Sequence, residues 1–374
     1  MVLRFLFISA TLPTAKTGCG KRTLGVMSQI VEAGHKVTLF CPSASKNHSP
    51  LDEHTSWRVA KSASSLESQY DILWAMDNWG LDALNWSVRV IGHARVHLGI
   101  KVVVEDNCDF LRRAKAHLAK TDLQRYAGTI RAEQQLWELS DMICCVNTEV
   151  ARQISRADPS LAERGKALMV LPLALDKMRP IPFHNQRAPV VYLPGSSHHL
   201  NYDGMRWFCE KVWSHIAHAL PKISLRIVGR GTEVFQQVPN LPQGIEVIGT
   251  THDLSSEIAK GLLCAIPALA PGGLKTAVLD SLTARTPVIT HPQSIHNLGL
   301  EAGPGILPAS RPAEYAARIV NFIASARDNA QSINEHLCDA EAKYEAANNF
   351  QQHCRAIIKA LEQKVECPSV INST

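Results

Sequence analysis

Short apolar runs alternate with helix-length amphipathic segments along most of the chain. Leu3 to Ile8 is apolar and rich in β-formers, and a Gly/Thr/Lys loop follows. Thr23 to Ala33 carries helical periodicity, Gly34-His35 stops it, and Lys36 to Cys41 reads as the next strand, closed by Pro42. The alternation continues through the predicted strands Asp71–Trp74, Lys101–Val104 and Met142–Val146. A second series opens after the Pro-punctuated stretch Asp176–Pro182, which reads as an interdomain linker. Its predicted strands are Val190–Leu193, Leu225–Val228, Ile245–Ile248, Leu262–Ile266 and Pro287–Thr290, and its predicted helices are Met205–Leu220, Ala277–Ala284 and Pro312–Ala326. From Ile333 to Glu366 the chain is charged, Ala-rich and helical, and Pro368–Thr374 is polar. Strands alternating with helices imply parallel sheets covered on both faces, hence an α/β protein of two Rossmann-like, doubly wound domains. Ligands are expected at the carboxyl ends of the strands and in a central cleft between the halves. The expected division is 1–178, then 179–345, then a C-terminal helix and polar tail over 346–374.

Composition narrows the class. At roughly 150 residues per domain, 374 residues suit two domains. A content of 45% hydrophobic and 20% charged residues excludes global disorder. The net charge of +5 is too small and too dispersed for a dedicated nucleic-acid binder, though it tolerates anionic ligands. The ten cysteines include no Cys-x-x-Cys pair, and Cys144-Cys145 sit in an apolar run as small buried hydrophobes, which points to reduced thiols in a cytoplasm. The opening Met1–Ala10 mimics a signal peptide but reads better as a buried first strand. No apolar stretch approaches the roughly 20 residues of a membrane span.

Two glycine motifs are weak on their own. Thr17-Gly-Cys-Gly-Lys21-Arg22-Thr23 resembles a phosphate-binding P-loop, but Arg22 stands where Ser or Thr should hold magnesium and Ala15 where the first Gly belongs. What survives is a turn around Gly18 and Gly20 before a helix, either a place for an anion or ligand or a purely structural turn. Gly229-Arg230-Gly231 lacks the third Gly of a dinucleotide fingerprint and the acidic residue beyond it.

Three stretches together say more. Gly195-Ser196-Ser197-His-His-Leu-Asn201-Tyr-Asp203-Gly-Met-Arg206-Trp207-Phe208 links a strand to a helix, and Ile227-Val228-Gly229-Arg230-Gly231 is the next strand and turn. Gly272-Gly273-Leu-Lys275-Thr-Ala-Val-Leu-Asp280 is a Gly turn leading into a helix. They resemble the donor-binding domain of GT-B glycosyltransferases, specifically the large retaining family four, glycosyl transferases group 1. The N-terminal half is similar to the same family at Leu6-Phe-Ile-Ser9, Gly18-Cys-Gly20-Lys21-Arg22, Ala33-Gly34-His35-Lys36-Val37, Glu133–Val146 and Pro172-Leu-Ala-Leu-Asp176. The resemblance implies transfer of a sugar from a nucleotide diphosphate sugar to a glycan, lipid-linked glycan or small-molecule acceptor, with retained configuration and without metal or cofactor. It also implies acceptor binding by the N-terminal domain and donor binding by the C-terminal one.

Residue by residue, it assigns Gly18, Gly20, Gly195, Ser196, Arg230, Gly272, Gly273, Lys275 and Asp280 to the donor. Gly272 and Gly273 would offer backbone N–H groups at a helix start, Lys275 a point charge for a phosphate, and Asp280, where the family has Glu, a carboxylate for the ribose hydroxyls. The alternative for Lys275 and Asp280 is a solvated position on an amphipathic helix. The chain departs from the family in four places. Gly272 stands where relatives have a sugar-contacting Glu, and Val104–Asp109 contains no His. Ser196 or Ser197 replaces an Arg, and Ala277 a second basic residue. Asp106 and Asp109 are the remaining catalytic candidates, for orienting the acceptor. A noncatalytic GT-B partner subunit and a GT-B nucleotide-sugar epimerase stay open as alternatives. His215 and His218, and the pair His198-His199, lack the further ligands of a metal set. Arg112, Arg113, Lys115, Lys120, Arg125 and Arg131 surround a single acid, Asp122, either as a solvated face or as a patch attracted peripherally to an anionic membrane at its cytoplasmic face.

Overall fold

The computed structural model describes residues 1–9, 13, 18–41, 57–60, 66, 69–76, 85–86, 88–92, 101–106, 123–175, 181–184, 186–197, 199–269, 275–326 and 328–366. The chain forms two compact units, one of residues 1–174 with 348–374 and the other of residues 175–347.

The first unit is built on seven parallel strands: β1 Arg4–Ile8, β2 Lys36–Phe40, β3 Arg58–Ala60, β4 Ile72–Ala75, β5 Lys101–Asp106, β6 Met142–Cys145 and β7 Ala167–Val170. Their order is β3-β2-β1-β4-β5-β6-β7, so the sheet reverses its winding between β1 and β4. β4 and β6 are buried at every position, as continuous apolar runs must be when both faces of a parallel sheet are covered. Cys144 and Cys145 lie fully buried in β6 as apolar filling. Two aspartates just ahead of strands help hold the register. Asp71 accepts from the Arg4 N–H at 2.7 Å and Asp141 from the Val102 N–H at 2.8 Å. Helices α1 (Gly18–Glu32), α2 (Leu123–Leu139) and α3 (Thr148–Ala157) belong to this unit, α3 being started by Asn147, whose side chain accepts from the Val150 N–H.

The second unit carries six parallel strands: β8 Ala188–Pro194, β9 Ser224–Val228, β10 Ile245–Gly249, β11 Gly261–Ile266, β12 Val288–Thr290 and β13 Ile306–Pro308. In the order β10-β9-β8-β11-β12-β13 the winding reverses between β8 and β11. Its helices are α4 (His199–Phe208), α5 (Ser214–Ala219), α6 (Leu254–Ile258), α7 (Thr276–Thr283), α8 (Pro292–Asn297), α9 (Pro312–Ser325) and α10 (Ala330–Ala347). A π turn over Cys209–Trp213 joins α4 to α5, and its Cys209, Val212 and Trp213 are buried. Buried Arg187 anchors the start of the unit, its guanidinium donating to the Thr286 hydroxyl at 2.8 Å and the Ile181 carbonyl at 2.9 Å. Burial lowers its pKa to about 10.

The last helix, α11 (Phe350–Glu366), joins the first unit. Cys354, Ile357, Ile358 and Leu361 recur at helical spacing and pack in one core with Leu3, Val26, Met27 and Ile30. At Gly25 of α1 an added Cβ would lie 3.0 Å from the Phe350 ring, so the two helices approach closely there. Buried His35 adds a polar tie. Its Nδ1 accepts from the Leu3 N–H at 3.2 Å, which leaves Nε2 to face the Glu362 carboxylate at 3.3 Å.

Several boundaries differ from the sequence reading. α1 begins at Gly18 rather than Thr23, so the Gly18–Arg22 stretch is the first turn of a helix and not a loop, local glycine cost being overridden by packing that buries Gly20. The helix expected over Met205–Leu220 starts at His199, and the one expected from Ala277 starts at Thr276. β3, β7 and β13, each at the edge of its sheet, were not foreseen. Most of the expected linker, residues 176–180, lies outside the described residues.

Candidate functional site

In an open α/β sheet, ligands settle outside the carboxyl ends of the strands where the winding reverses. In the second unit that place is flanked by the segment after β8, with Gly195 and Ser196, and by the segment leading from β11 to α7, with Lys275. Backbone hydrogen bonds tie the strand ends together. The Gly195 N–H donates to the Val228 carbonyl at 3.0 Å, Ser197 N–H to the Arg230 carbonyl at 3.0 Å, and Gly229 N–H to the Gly249 carbonyl at 2.8 Å. The motif glycines make this possible. Gly229 adopts a φ of 128°, and a Cβ there would stand 2.0 Å from the Gly195 carbonyl oxygen. A Cβ at Gly204 would stand 2.5 Å from the Pro267 carbonyl oxygen, so α4 lies directly against the end of β11.

The polar side chains are set by the same framework. Ser196 Oγ accepts from the Asn201 side-chain amide at 2.9 Å, which fixes the turn into α4. Arg230 is exposed, with only its backbone carbonyl in the strand-end network. Lys275 is the residue before α7, with non-helical backbone angles (φ −93°, ψ 89°), and stands just outside the first turn where the sequence reading placed it. Asp280 lies one turn into α7, half-buried, between buried Leu279 and Ser281. Its charge reaches the interior. The Cys264 thiol of β11 is pushed up to about 12 by burial, and Asp280 adds to that rise. Asp280 is therefore no fully solvated helix carboxylate.

The donor residues Gly272 and Gly273 lie outside the described residues, as do His198 and the catalytic candidate Asp109. Asp106 closes β5 at the carboxyl end of the first sheet, one strand beyond the reversal between β1 and β4. Gly18 and Gly20 open α1, the next element along the chain after β1. They stand where helix N–H groups have no acceptor within their own helix and the dipole favours negative charge. The sequence reading missed the contribution of Asn201 and of Gly204, both inside the motif it quoted. Side-chain-to-backbone geometry of this kind has no period to detect. His215 and His218 are exposed, and no group of His, Cys, Asp and Glu among the described residues is arranged to hold a metal ion.

Residues 188–325, which contain Gly195, Ser196, Arg230, Gly272, Gly273, Lys275 and Asp280, match the family model for glycosyl transferases group 1. The whole chain is similar in structure to Anabaena HepE in complex with UDP and glucose, at 14% identity and a TM-score of 0.66 over 96% of this chain and 99% of that one. The architecture is the GT-B fold. Sucrose-phosphate synthase from Thermosynechococcus elongatus resembles the chain with 16% identity and a TM-score of 0.67, covering 96% of this chain and 100% of the other. WaaG, a glycosyltransferase involved in lipopolysaccharide biosynthesis, resembles it with 13% identity and a TM-score of 0.62, covering 96% and 98%. No curated protein matches the chain by sequence. Among the described residues of this GT-B chain, no helix is long and apolar enough to cross a membrane.

Proposed function

We propose that this GT-B chain transfers a sugar from a nucleotide diphosphate sugar to an acceptor with retention of configuration. The observation that carries the reading is the match of residues 188–325 to glycosyl transferases group 1, which encloses the motif residues gathered around the β8/β11 reversal. The solved complexes of HepE with UDP and with UDP-glucose support a uridine donor as the first to test.

In this reading the second unit holds the donor. Departure of the nucleoside diphosphate concentrates negative charge, which fixed N–H groups and a cation must stabilise. The Gly272-Gly273 segment supplies the N–H groups, Lys275 at the start of α7 supplies the cation, and Asp280 accepts from the ribose hydroxyls. Lys275 stands just ahead of α7 and Asp280 one turn into it, which suits a phosphate contact before the helix and a ribose contact further in. Ser196 and Arg230 offer a hydroxyl and a guanidinium on the other side of the reversal. The first unit holds the acceptor, with Asp106 and Asp109 orienting its hydroxyl, and the first turn of α1 at Gly18 and Gly20 offers backbone N–H groups to a phosphate. No metal or cofactor takes part. The protein works in the cytoplasm, peripheral to the membrane when its acceptor is lipid-linked.

The test is a thermal-shift panel of nucleoside diphosphates and their sugars on the full chain. Binding to the native state raises the melting temperature by mass action. A rise with one nucleotide series, followed by sugar transfer to an acceptor with that donor, is the expected result. No shift with any member sinks the donor reading, and donor turnover without acceptor would point to the epimerase instead.

A further inference from the structure

The second unit has a concavity of about 450 Å³ beside Ser196 and Arg230 but lined by other residues. One wall is the β8–α4 segment with Ser197, Tyr202 and Arg206. The other is the short 3-10 turn Thr232–Gln237 and its exit, with Val234, Gln237 and Val238. Tyr202 and Arg206, four apart, share one face of α4. The Tyr202 ring packs at 4.8 Å and a 39° tilt on Phe235, which is fully buried, so it forms a fixed platform. Among the described residues, the hydroxyls of Ser197 and Tyr202 and the amide of Gln237 have no hydrogen-bond partner within the protein, and Val234 is 41% exposed.

Charge decides the class of ligand. Arg206 Nε donates to the Glu210 carboxylate at 2.6 Å, an exposed pair that offsets part of its charge, while its two terminal nitrogens remain available as donors. Asp203 lies close enough to act on Arg206 as well, which weakens any pull on an anion further. Neighbouring Glu233 is directed elsewhere, accepting from the Thr250 N–H at 2.6 Å. What remains is a set of hydroxyl and amide groups with a guanidinium paired to Glu210, beside an aromatic ring and apolar side chains. This set suits a ligand with hydroxyls on its rim and C–H groups on its faces.

We propose that this concavity is a subsite for a neutral oligosaccharide, held by Tyr202, Arg206 and Gln237. It goes beyond the donor reading and rests on other residues. The test is calorimetry on the full chain with maltopentaose, cellopentaose, inorganic phosphate and UDP. At least one pentasaccharide should bind, and Gln237→Ala and Arg206→Met, both at exposed positions, should each weaken it about tenfold, as loss of one hydrogen bond worth about 1.4 kcal/mol requires. Tyr202→Ala should abolish it. UDP affinity should stay unchanged in Gln237→Ala and Arg206→Met. Asp280→Ala should keep pentasaccharide binding, so that a failure of UDP to bind would sink the donor reading and leave the subsite standing. The proposal is overturned if neither pentasaccharide binds, if Gln237→Ala and Arg206→Met bind it as wild type does, or if inorganic phosphate displaces it.

Discussion

Asp280 and Lys275 show how much one residue's environment changes its meaning. Each has a solvated helix position as its alternative reading in the sequence, yet Asp280 is half-buried and its charge acts on the buried Cys264 thiol, while Lys275 stands ahead of the helix rather than on it. Asp280→Ala should leave a cooperative melt and weaken nucleotide binding by about 1.5–3 kcal/mol, the range for hydrogen bonds to a charged group. Calorimetry with UDP on the folded variant checks this, and unchanged affinity removes the ribose assignment. Lys275→Ala should weaken UDP much more than uridine, because a point charge acts on phosphate. Equal losses on both would remove its phosphate role.

Two elements depend on contacts that their own periodicity does not display. Helix α9 starts at Pro312, and its Glu314 carboxylate accepts from the Ser310 N–H and hydroxyl, each at 3.0 Å, and from the Arg311 side chain. These bonds hold its pKa down at about 2. A carboxylate depressed in the folded state stabilises fully above its unfolded pKa, ordinarily 4.5, and the contribution is lost as pH falls from there through about 2. Glu314→Gln should therefore flatten the acid limb of stability between about pH 4.5 and 2 while lowering stability at neutral pH. Melting curves across that range decide it, and parallel pH profiles for the two proteins would contradict the assignment. Helix α11 is the second case. Removing residues 348–374 takes away Ile357, Ile358 and Leu361, each worth about 1.5–3 kcal/mol on burial, and uncovers Leu3, Val26, Met27 and Ile30 beneath them. The truncated chain should lose the native melt of its first unit. Retention of that melt at the wild-type temperature would show that α11 is dispensable.

At the scale of the molecule, the two parallel sheets and their winding were legible because a strand buried on both faces must be apolar throughout, and β4, β6 and β11 are. The basic stretch from Arg112 to Arg131 belongs to this scale too, because a charge patch acts through the field it projects. Residues 112–122 lie outside the described residues, and Arg131 is exposed on α2. If the acceptor is lipid-linked, binding to anionic vesicles should fall steeply as salt shortens the Debye length from about 10 Å at 0.1 M. Each neutralised Arg or Lys should remove about 1 kcal/mol, so Arg112/Arg113/Lys115→Ala should lose most vesicle binding and keep nucleotide affinity. Co-sedimentation with phosphatidylserine vesicles checks both, and a wild-type protein that ignores such vesicles at low salt has a soluble acceptor.

Apolar runs, the helix stop at Gly34 and the strand end at Pro42 were enough to determine two doubly wound halves, because burial and backbone geometry act locally on residue type. Three matters were decided only in three dimensions. Gly18 to Arg22 became helix because packing overrode glycine's local cost. Helix α11 found its partner across more than 300 residues of chain, where apolar periodicity can show a buried face but not what buries it. The close approach of Gly229 to the Gly195 carbonyl, and of Gly204 to Pro267, arises where strand ends meet, so the reason for those glycines exists only once the sheet has formed.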